Sequence, residues 1–268
     1  MSTSAPKAEG AAAAAPKPYV RLARKDEIPA LALIAREAFI ADPNFSYLAS
    51  LKEHLSNEQD SKKRRTLEKF LGMLYGLSFA AGARITVVAL PKSEEEKRSG
   101  KEELAASCIW LPPHKRVGLK QFFTSLRYGF FSVLRGWGLK GMTRVSILHP
   151  MHTDAAWVEV WKQCKLPGTP EHEWYLFLAL TAPQHQGHGY LSLLLREMFA
   201  FVPDKMLTLD AGTAKARDRY AHLGFELQRP WTLGTGQVNE QGLKTKGEKP
   251  GMTFYSMIKW DPKHSEAT

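Results

Sequence analysis

Two glycines separated by one residue, set between an apolar run and a leucine-rich run, are the first residues in this sequence whose spacing could do chemistry. The segment reads Ala179-Leu180-Thr181-Ala182-Pro183-Gln184-His185-Gln186-Gly187-His188-Gly189-Tyr190-Leu191-Ser192-Leu193-Leu194-Leu195. Glycine allows backbone to approach a ligand closely. The unpaired N–H groups of a helix's first turn, at the positive end of its dipole, bind phosphate without a cationic side chain. The same glycines also suit a tight strand-to-helix connection that binds nothing, so both readings stand here. Neither the P-loop pattern G-x-x-x-x-G-K-[ST] nor the dinucleotide pattern G-x-G-x-x-G is met. A second group, Glu171-His172-Glu173, immediately precedes the apolar run Trp174 to Leu180. It offers carboxylates and an imidazole suited to proton transfer near neutral pH, and it equally has the composition of a solvated approach to a strand.

A third segment, Thr213-Ala214-Lys215-Ala216-Arg217-Asp218-Arg219-Tyr220-Ala221-His222-Leu223-Gly224-Phe225, follows at short distance. It resembles the motif N-x-x-A-x-x-x-Y-x-x-x-G-F of the GNAT superfamily of N-acyltransferases, with Thr213 in the usual Asn place. The glycine turn resembles motif A of the same superfamily, Q/R-x-x-G-x-G/A before a leucine-rich helix. Two registers fit: Gln184-x-x-Gly187-x-Gly189, or Gln186-x-x-Gly189-x-Leu191. The second keeps the spacing to Pro183 and to Leu194-Leu195, at the cost of Leu where Gly or Ala is usual, and is preferred. The ending Gly251 to Ile258 is similar to the closing strand of fungal-type small GNAT enzymes.

The resemblance implies acetyl-CoA as co-substrate, lying in a V-shaped opening between the Trp174–Leu180 strand and its neighbour after Met206. Backbone at Ala179, Leu180 and Thr181 would pair with pantetheine. The pyrophosphate would rest on the amides of Gly187, His188, Gly189, Tyr190, Leu191 and Ser192, with Gln186 opening the motif, Thr213 across the opening, and His188 as an added contact. Tyr220 matches the family's hydroxyl near the CoA sulfur; a phenol of ordinary pKa about 10 is protonated at neutral pH and can donate to a departing thiolate. Glu173 is the first choice for the base that takes the amine's proton, and His172 the second. The implied activity is direct acetyl transfer to a primary amine, of a small molecule in the leading reading. The alternatives are transfer to a protein or peptide amine, and a non-catalytic acyl-CoA-binding module at an acidic surface. No metal is implied.

These residues need elements to hold them. Tyr19 to Leu22 alternates as a strand, and an amphipathic helix follows through Phe39 with Asp26 as its cap. Leu67, Phe70, Leu71 and Leu74 recur at helical spacing within a second helix from Ser61 to Ala80, whose basic start Lys62-Lys63-Arg64-Arg65 reads as a solvated face. Arg84 to Leu90 and Leu104 to Leu111 read as an antiparallel hairpin around a charged loop. After the strand at Trp174 come a helix (Leu191 to Phe201), a strand (Met206 to Leu209), a helix (Ala214 to Leu223) and a strand from Phe225. The fold class is therefore mixed α/β, with the resemblance implying a mostly antiparallel central sheet flanked by helices. Residues 19–262 form one domain, between a tail of residues 1–18 and an end of residues 263–268, both too poor in apolar side chains to order.

Residues 112–170 interrupt this order with helical segments rich in Phe, Leu and Trp. No acid occurs between Glu103 and Asp154, while Lys115, Arg116, Lys120, Arg127, Arg135, Lys140 and Arg144 stand beside Phe122, Phe123, Phe130, Phe131 and Trp137. A cover over the acceptor pocket is favoured over an amphipathic membrane surface or a nucleic-acid face, because so many aromatics are costly to expose. Under that reading the four phenylalanines are protected, and Lys115, Arg116 and Lys120 are exposed. The net charge of +10 favours anionic partners, of which polyanionic CoA is one. Cys108 and Cys164 form neither a disulfide framework nor a zinc pattern. With no signal-peptide layout and no long apolar span, a soluble cytoplasmic or nuclear protein is expected.

Overall fold

Alternation along the central strands feeds a core on each face of the sheet. On β2 (Arg84–Leu90), Ile85, Val87 and Ala89 enter one core cluster while Val88 enters another. On β3 (Glu103–Leu111), Ile109 goes to the first and Ala106, Cys108 and Trp110 to the second. Successive side chains of a strand point to opposite faces, so a strand apolar on both must be covered on both. The computed structural model describes residues 17–91, 102–117 and 122–259. Most of the expected amino-terminal tail, the carboxyl end, the charged hairpin loop and Lys120 lie outside the described residues.

Seven strands form one sheet in the order β1-β2-β3-β4-β5-β7-β6. β1 (Tyr19–Leu22) sits at one edge; β4 (Trp174–Thr181), β5 (Leu207–Ala211), β7 (Met252–Lys259) and β6 (Glu226–Leu233) complete it. All neighbours are antiparallel except β4 and β5. The first core is closed by α1 (Ile28–Phe39), α2 (Pro43–Leu48) and α3 (Lys62–Ala81). Ser61 caps α3, its hydroxyl accepting from the Arg64 amide at 3.2 Å, and Gly82 ends it at φ 78°, a conformation that only glycine adopts without strain.

Between β3 and β4 run α4 (Phe122–Arg127), α5 (Phe130–Thr143), a π-helical turn (Arg144–Leu148) and α6 (His149–Gln163). α5 lies on α3 because Gly136 has no side chain to collide with Thr66 and because Trp137 stacks obliquely on Phe70, ring centroids 4.6 Å apart. Arg144 is buried and donates to the Tyr47 carbonyl at 2.5 Å, to Ser50 Oγ at 2.7 Å and to Gln237 Oε1 at 2.9 Å, fixing the helices to α2 and to the β6–β7 connection. The second core is covered by α7 (Tyr190–Phe201) and flanked by α8 (Ala214–Ala221).

Two expectations need correction. Asp26 does not cap α1; Lys25–Glu27 form a 3₁₀ turn, and the Glu27 carboxylate instead accepts from the Arg24 amide at 2.7 Å and pairs with Arg21. The short helix α2, opened by Asp42 and Pro43, was not foreseen, since six residues are too few to show a period. The basic start of α3 is solvated as expected at Lys62, Lys63 and Arg65.

Candidate active site

β4 and β5 are held together only through Trp174–Leu207, Tyr175–Thr208 and Leu176–Leu209. Beyond Leu176 they separate, although the other edge of β4 stays paired to β3 as far as Thr181. Residues Phe177 to Thr181 therefore present a strand edge without a strand partner, at the head of a wedge. Ala179 lines the cavity that opens there, while Leu180 turns into the first core and the Thr181 carbonyl accepts weakly from Gln186 Nε2 at 3.5 Å.

The glycine turn follows. Pro183–His185 make a 3₁₀ turn, Gly187 and Gly189 take φ 85° and 75°, and Gly189 is the residue from which α7 departs. Among the described residues the amides of Gly187, His188, Gly189, Tyr190, Leu191 and Ser192 have no acceptor; the first to be engaged is that of Leu193, bonded to Gly189 O at 3.1 Å. A Cβ built on either glycine would meet nothing within 4 Å, so the space above the turn is open. His188 is exposed, stacks on Tyr190 with centroids 5.6 Å apart, and its Nδ1 lies 3.2 Å from the His185 carbonyl. His185 in turn pairs with Glu103 of β3 at 2.7 Å, tying the turn to the sheet. Six free amides around two left-handed glycines at a helix start are the donor set that an anionic phosphate needs.

A cavity of about 320 Å³ runs from this wedge beneath the inserted helices. Its walls are mainly aromatic and aliphatic, with Phe45, Phe70, Phe130, Phe177 and Phe254 among them. Tyr220 and Thr213 border it from the β5 side. Thr213 is occupied locally, capping α8 by accepting from the Ala216 amide at 3.1 Å. Burial pushes the Tyr220 phenol above its ordinary value, and its hydroxyl has no hydrogen-bond partner among the described residues.

Tyr175 of β4 lines this cavity, and Glu173, two positions before it, does not. The Glu173 carbonyl receives Arg116 Nη2 at 3.4 Å, and His172, likewise outside the lining, folds back on the Thr169 amide at 3.3 Å. Arg116, expected to be exposed, is half-buried, with its guanidinium 5.6 Å from the Tyr175 ring. Lys115 is exposed as expected. Of the phenylalanines expected to be protected, Phe130 is partly buried and lines the cavity, whereas Phe123 and Phe131 are exposed; the Phe122 side chain lies outside the described residues.

Two cavity residues escaped the sequence reading. Asp210 of β5 accepts from Ser256 Oγ at 2.6 Å, Trp157 Nε1 at 2.7 Å, Tyr175 Oη at 2.9 Å and Trp231 Nε1 at 3.1 Å. Burial raises its pKa and the four donors pull it back. His149 begins α6 with Nε2 enclosed by protein and unpartnered, and its ring meets Phe254 edge-on at 5.8 Å. Burial lowers its pKa to about 4 from 6.5.

That displacement predicts a pH effect. Between pH 6.5 and 4 the unfolded chain carries a proton on His149 that the folded chain does not. The stability this site contributes is complete above pH 6.5 and is lost as pH falls through about 4. At about 1.36 kcal/mol per pKa unit the loss is at most about 3 kcal/mol, less where cavity water reaches the ring. Buried Asp42, pushed up to about 6, acts with the opposite sign in an overlapping window. The measurement is therefore a difference: denaturant midpoints at pH 7 and pH 4 for wild type and His149→Phe, with wild type losing more. Equal losses would show that the ring is solvated.

Two solved structures share this architecture. That of histone acetyltransferase HPA2 and related acetyltransferase from Corynebacterium glutamicum matches with a TM-score of 0.51 at 18% identity, over 91% of this chain and 96% of that one. Arylalkylamine N-acetyltransferase 2 from Aedes aegypti matches with a TM-score of 0.54 at 12% identity, over 91% of this chain and 99% of that one. The chain has the GNAT fold. No protein-family model matches the sequence, and no curated protein is significantly similar to it. The likeness gives no support to the fungal-type small subgroup suggested by the closing strand. Within the GNAT fold of this chain, Ala179 of the separated β4 edge and Tyr220 line one cavity, and the glycine turn follows the end of β4 in the chain.

Proposed function

We propose that this protein is an acetyl-CoA-dependent N-acetyltransferase acting on the primary amine of a small molecule with an apolar body. The observation that carries the reading is the wedge: β4 and β5 part after three residue pairs, Tyr220 lines the cavity there, and the chain leaves β4 through a glycine turn whose amides lack acceptors among the described residues. Acetyl-CoA supplies the thioester. The amides from Gly187 to Ser192 would hold its pyrophosphate, and the unpaired edge at Ala179 to Thr181 would hold its pantetheine amides. Phe45, Phe70, Phe130 and Phe254 give the acceptor side a lining that favours an aromatic or aliphatic amine over a polycation.

In the transfer, the amine nitrogen attacks the thioester carbon, the carbon–sulfur bond breaks, and sulfur leaves with the electron pair. Tyr220 serves as donor to that sulfur. Because burial raises the phenol above its ordinary value of about 10, it is always protonated, but full transfer to a thiolate of pKa near 8.5 is uphill. Its contribution is thus chiefly a hydrogen bond to developing negative charge. On the acceptor side His149 borders the cavity, but its Nε2 is enclosed by protein and out of the amine's reach, so the attacking nitrogen, strongly acidic once bonded to the carbonyl carbon, gives its proton to water in the cavity. A ring of pKa about 4 cannot deprotonate an ammonium ion, so the amine has to enter neutral.

Release of CoA thiol from acetyl-CoA across a panel of aromatic, aliphatic and polycationic amines tests this directly. Turnover should be highest with apolar amines; failure of acetyl-CoA both to bind and to turn over with every amine would sink the reading. Within it, Gly189→Val should weaken acetyl-CoA at least tenfold, about 1.4 kcal/mol. Valine is strained at a positive φ, and its branches would fill space that no protein atom occupies. Unchanged calorimetric affinity in a folded variant would remove the turn from the site.

A further inference from the structure

The inserted helices have an inner face on the cavity and an outer face that the catalytic reading leaves unused. Phe123 and Arg127 of α4 and Phe131, Arg135 and Leu139 of α5 are exposed, across a break at Gly129 and a kink at Gly138. The large apolar members are far from marginal: Phe123 is 82% exposed, Phe131 66% and Leu139 77%, and Ile147 and Met151 continue at 48% and 61%. Few soluble domains expose so many large apolar side chains on neighbouring helices.

The charge on α4, α5 and the following turn is of one sign. Arg127, Arg135 and Lys140 are exposed on the same helices, and no acid occurs in sequence between Glu103 and Asp154. Next to Leu139 the positive charge is concentrated from several elements. Exposed Lys244 has its pKa lowered, first by desolvation and then by repulsion from Arg144, Lys140, Lys52 and Lys63. Lys52, Lys63 and Lys140 are themselves exposed, so a lysine cluster borders the apolar face. Interleaved phenylalanine, leucine and arginine on helices parallel to a surface are the composition of interfacial helices, in which apolar side chains enter the headgroup boundary and basic ones meet anionic lipid. Nucleic acid would use the cations and stacking rings but has no use for Leu139, Ile147 and Met151.

We propose that the outer face of α4, α5 and the following turn docks this protein on an anionic lipid surface. No helix among the described residues is long and apolar enough to cross a membrane, so the contact is at the interface. The same elements carry Phe130, Val145 and Ser146 of the cavity wall, so docking sets the cover of the acceptor cavity against the lipid. The proposal stands independently of acetyl transfer.

Sedimentation of the full chain with phosphatidylcholine vesicles, with and without about one-third phosphatidylserine, tests it. Binding should require the anionic lipid and weaken as salt rises from about 0.05 M to 0.5 M. Arg127→Gln with Arg135→Gln should weaken it about 30-fold, at about fivefold per basic residue. Phe131→Ser with Leu139→Ser, both at exposed positions and checked by circular dichroism for an intact fold, should weaken it at least tenfold. Absence of binding to anionic vesicles at low salt overturns the proposal. So does binding that the Phe131 and Leu139 substitutions leave unchanged, because charge alone then accounts for it. Tight duplex DNA binding lost in the arginine variant but retained in the Phe131 and Leu139 variant would assign the face to nucleic acid instead.

Discussion

Replacing Tyr220 by phenylalanine is expected to lower kcat about 100-fold while leaving the KM for acetyl-CoA within a few-fold of wild type. The ring packs beside Phe225, with centroids 5.9 Å apart, and joins the second core, so phenylalanine keeps the packing and removes one atom. That atom makes no hydrogen bond among the described residues, so its loss leaves no orphaned partner and should cost little stability. What disappears is a donor aimed at charge that develops only as the carbon–sulfur bond breaks, and such donors are worth roughly 3 kcal/mol in a water-poor site. The effect belongs in kcat, because sulfur in the bound thioester is a poor acceptor and gains from the donor only on leaving. Single-turnover measurement isolates the chemical step. A variant with wild-type single-turnover rate would reduce Tyr220 to a packing residue.

Replacing Asp210 by alanine is expected to cost about 3–5 kcal/mol of stability, and with it roughly 8–15 °C in Tm. Its two oxygens receive donors from four elements: Trp157 on α6, Tyr175 on β4, Trp231 on β6 and Ser256 on β7. Truncation orphans all four at once. A buried donor without an acceptor costs about 1–3 kcal/mol, and water entering from the cavity holds the sum toward its lower end. Asp210→Asn keeps the shape but turns an NH₂ toward groups that are themselves donors, so an intermediate loss is expected. The consequence reaches past stability, because Trp157 belongs to the insertion and Tyr175 to the zipped part of β4, the two sides between which the cavity is defined. A fall of under about 3 °C in the alanine variant, by calorimetry, would show that the four donors find other partners.

The parts of the site legible in the sequence are those whose chemistry is local. The turn from Pro183 to Ser192 declares itself because glycine is needed at positive φ and because a helix start frees its own amides, both set within ten residues of chain. Thr213 and Tyr220 share one short helix, so their separation is fixed by its rise and the cap of Thr213 on the Ala216 amide. The β2–β3 hairpin was legible for the same reason, since two β-rich runs joined by a charged turn pair with each other locally.

Other features were decided only by the tertiary structure. Asp210 collects donors that lie 21, 35, 46 and 53 residues away, and nothing in the neighbourhood of an isolated aspartate announces four indole, phenol and hydroxyl groups arriving from other elements. Glu173 shares the chemistry of a base, but its place outside the cavity lining depends on where β4 and β5 cease to pair, which no residue within β4 encodes. The insertion shows the same limit from the other direction. Helical spacing of phenylalanines marks apolar faces but does not say what covers each: α3 and the cavity take Trp137 and Phe130, and Phe123, Phe131 and Leu139 are left outside. Periodicity is a property of one helix, whereas burial is a property of two surfaces, and the second surface is known only once the chain has folded.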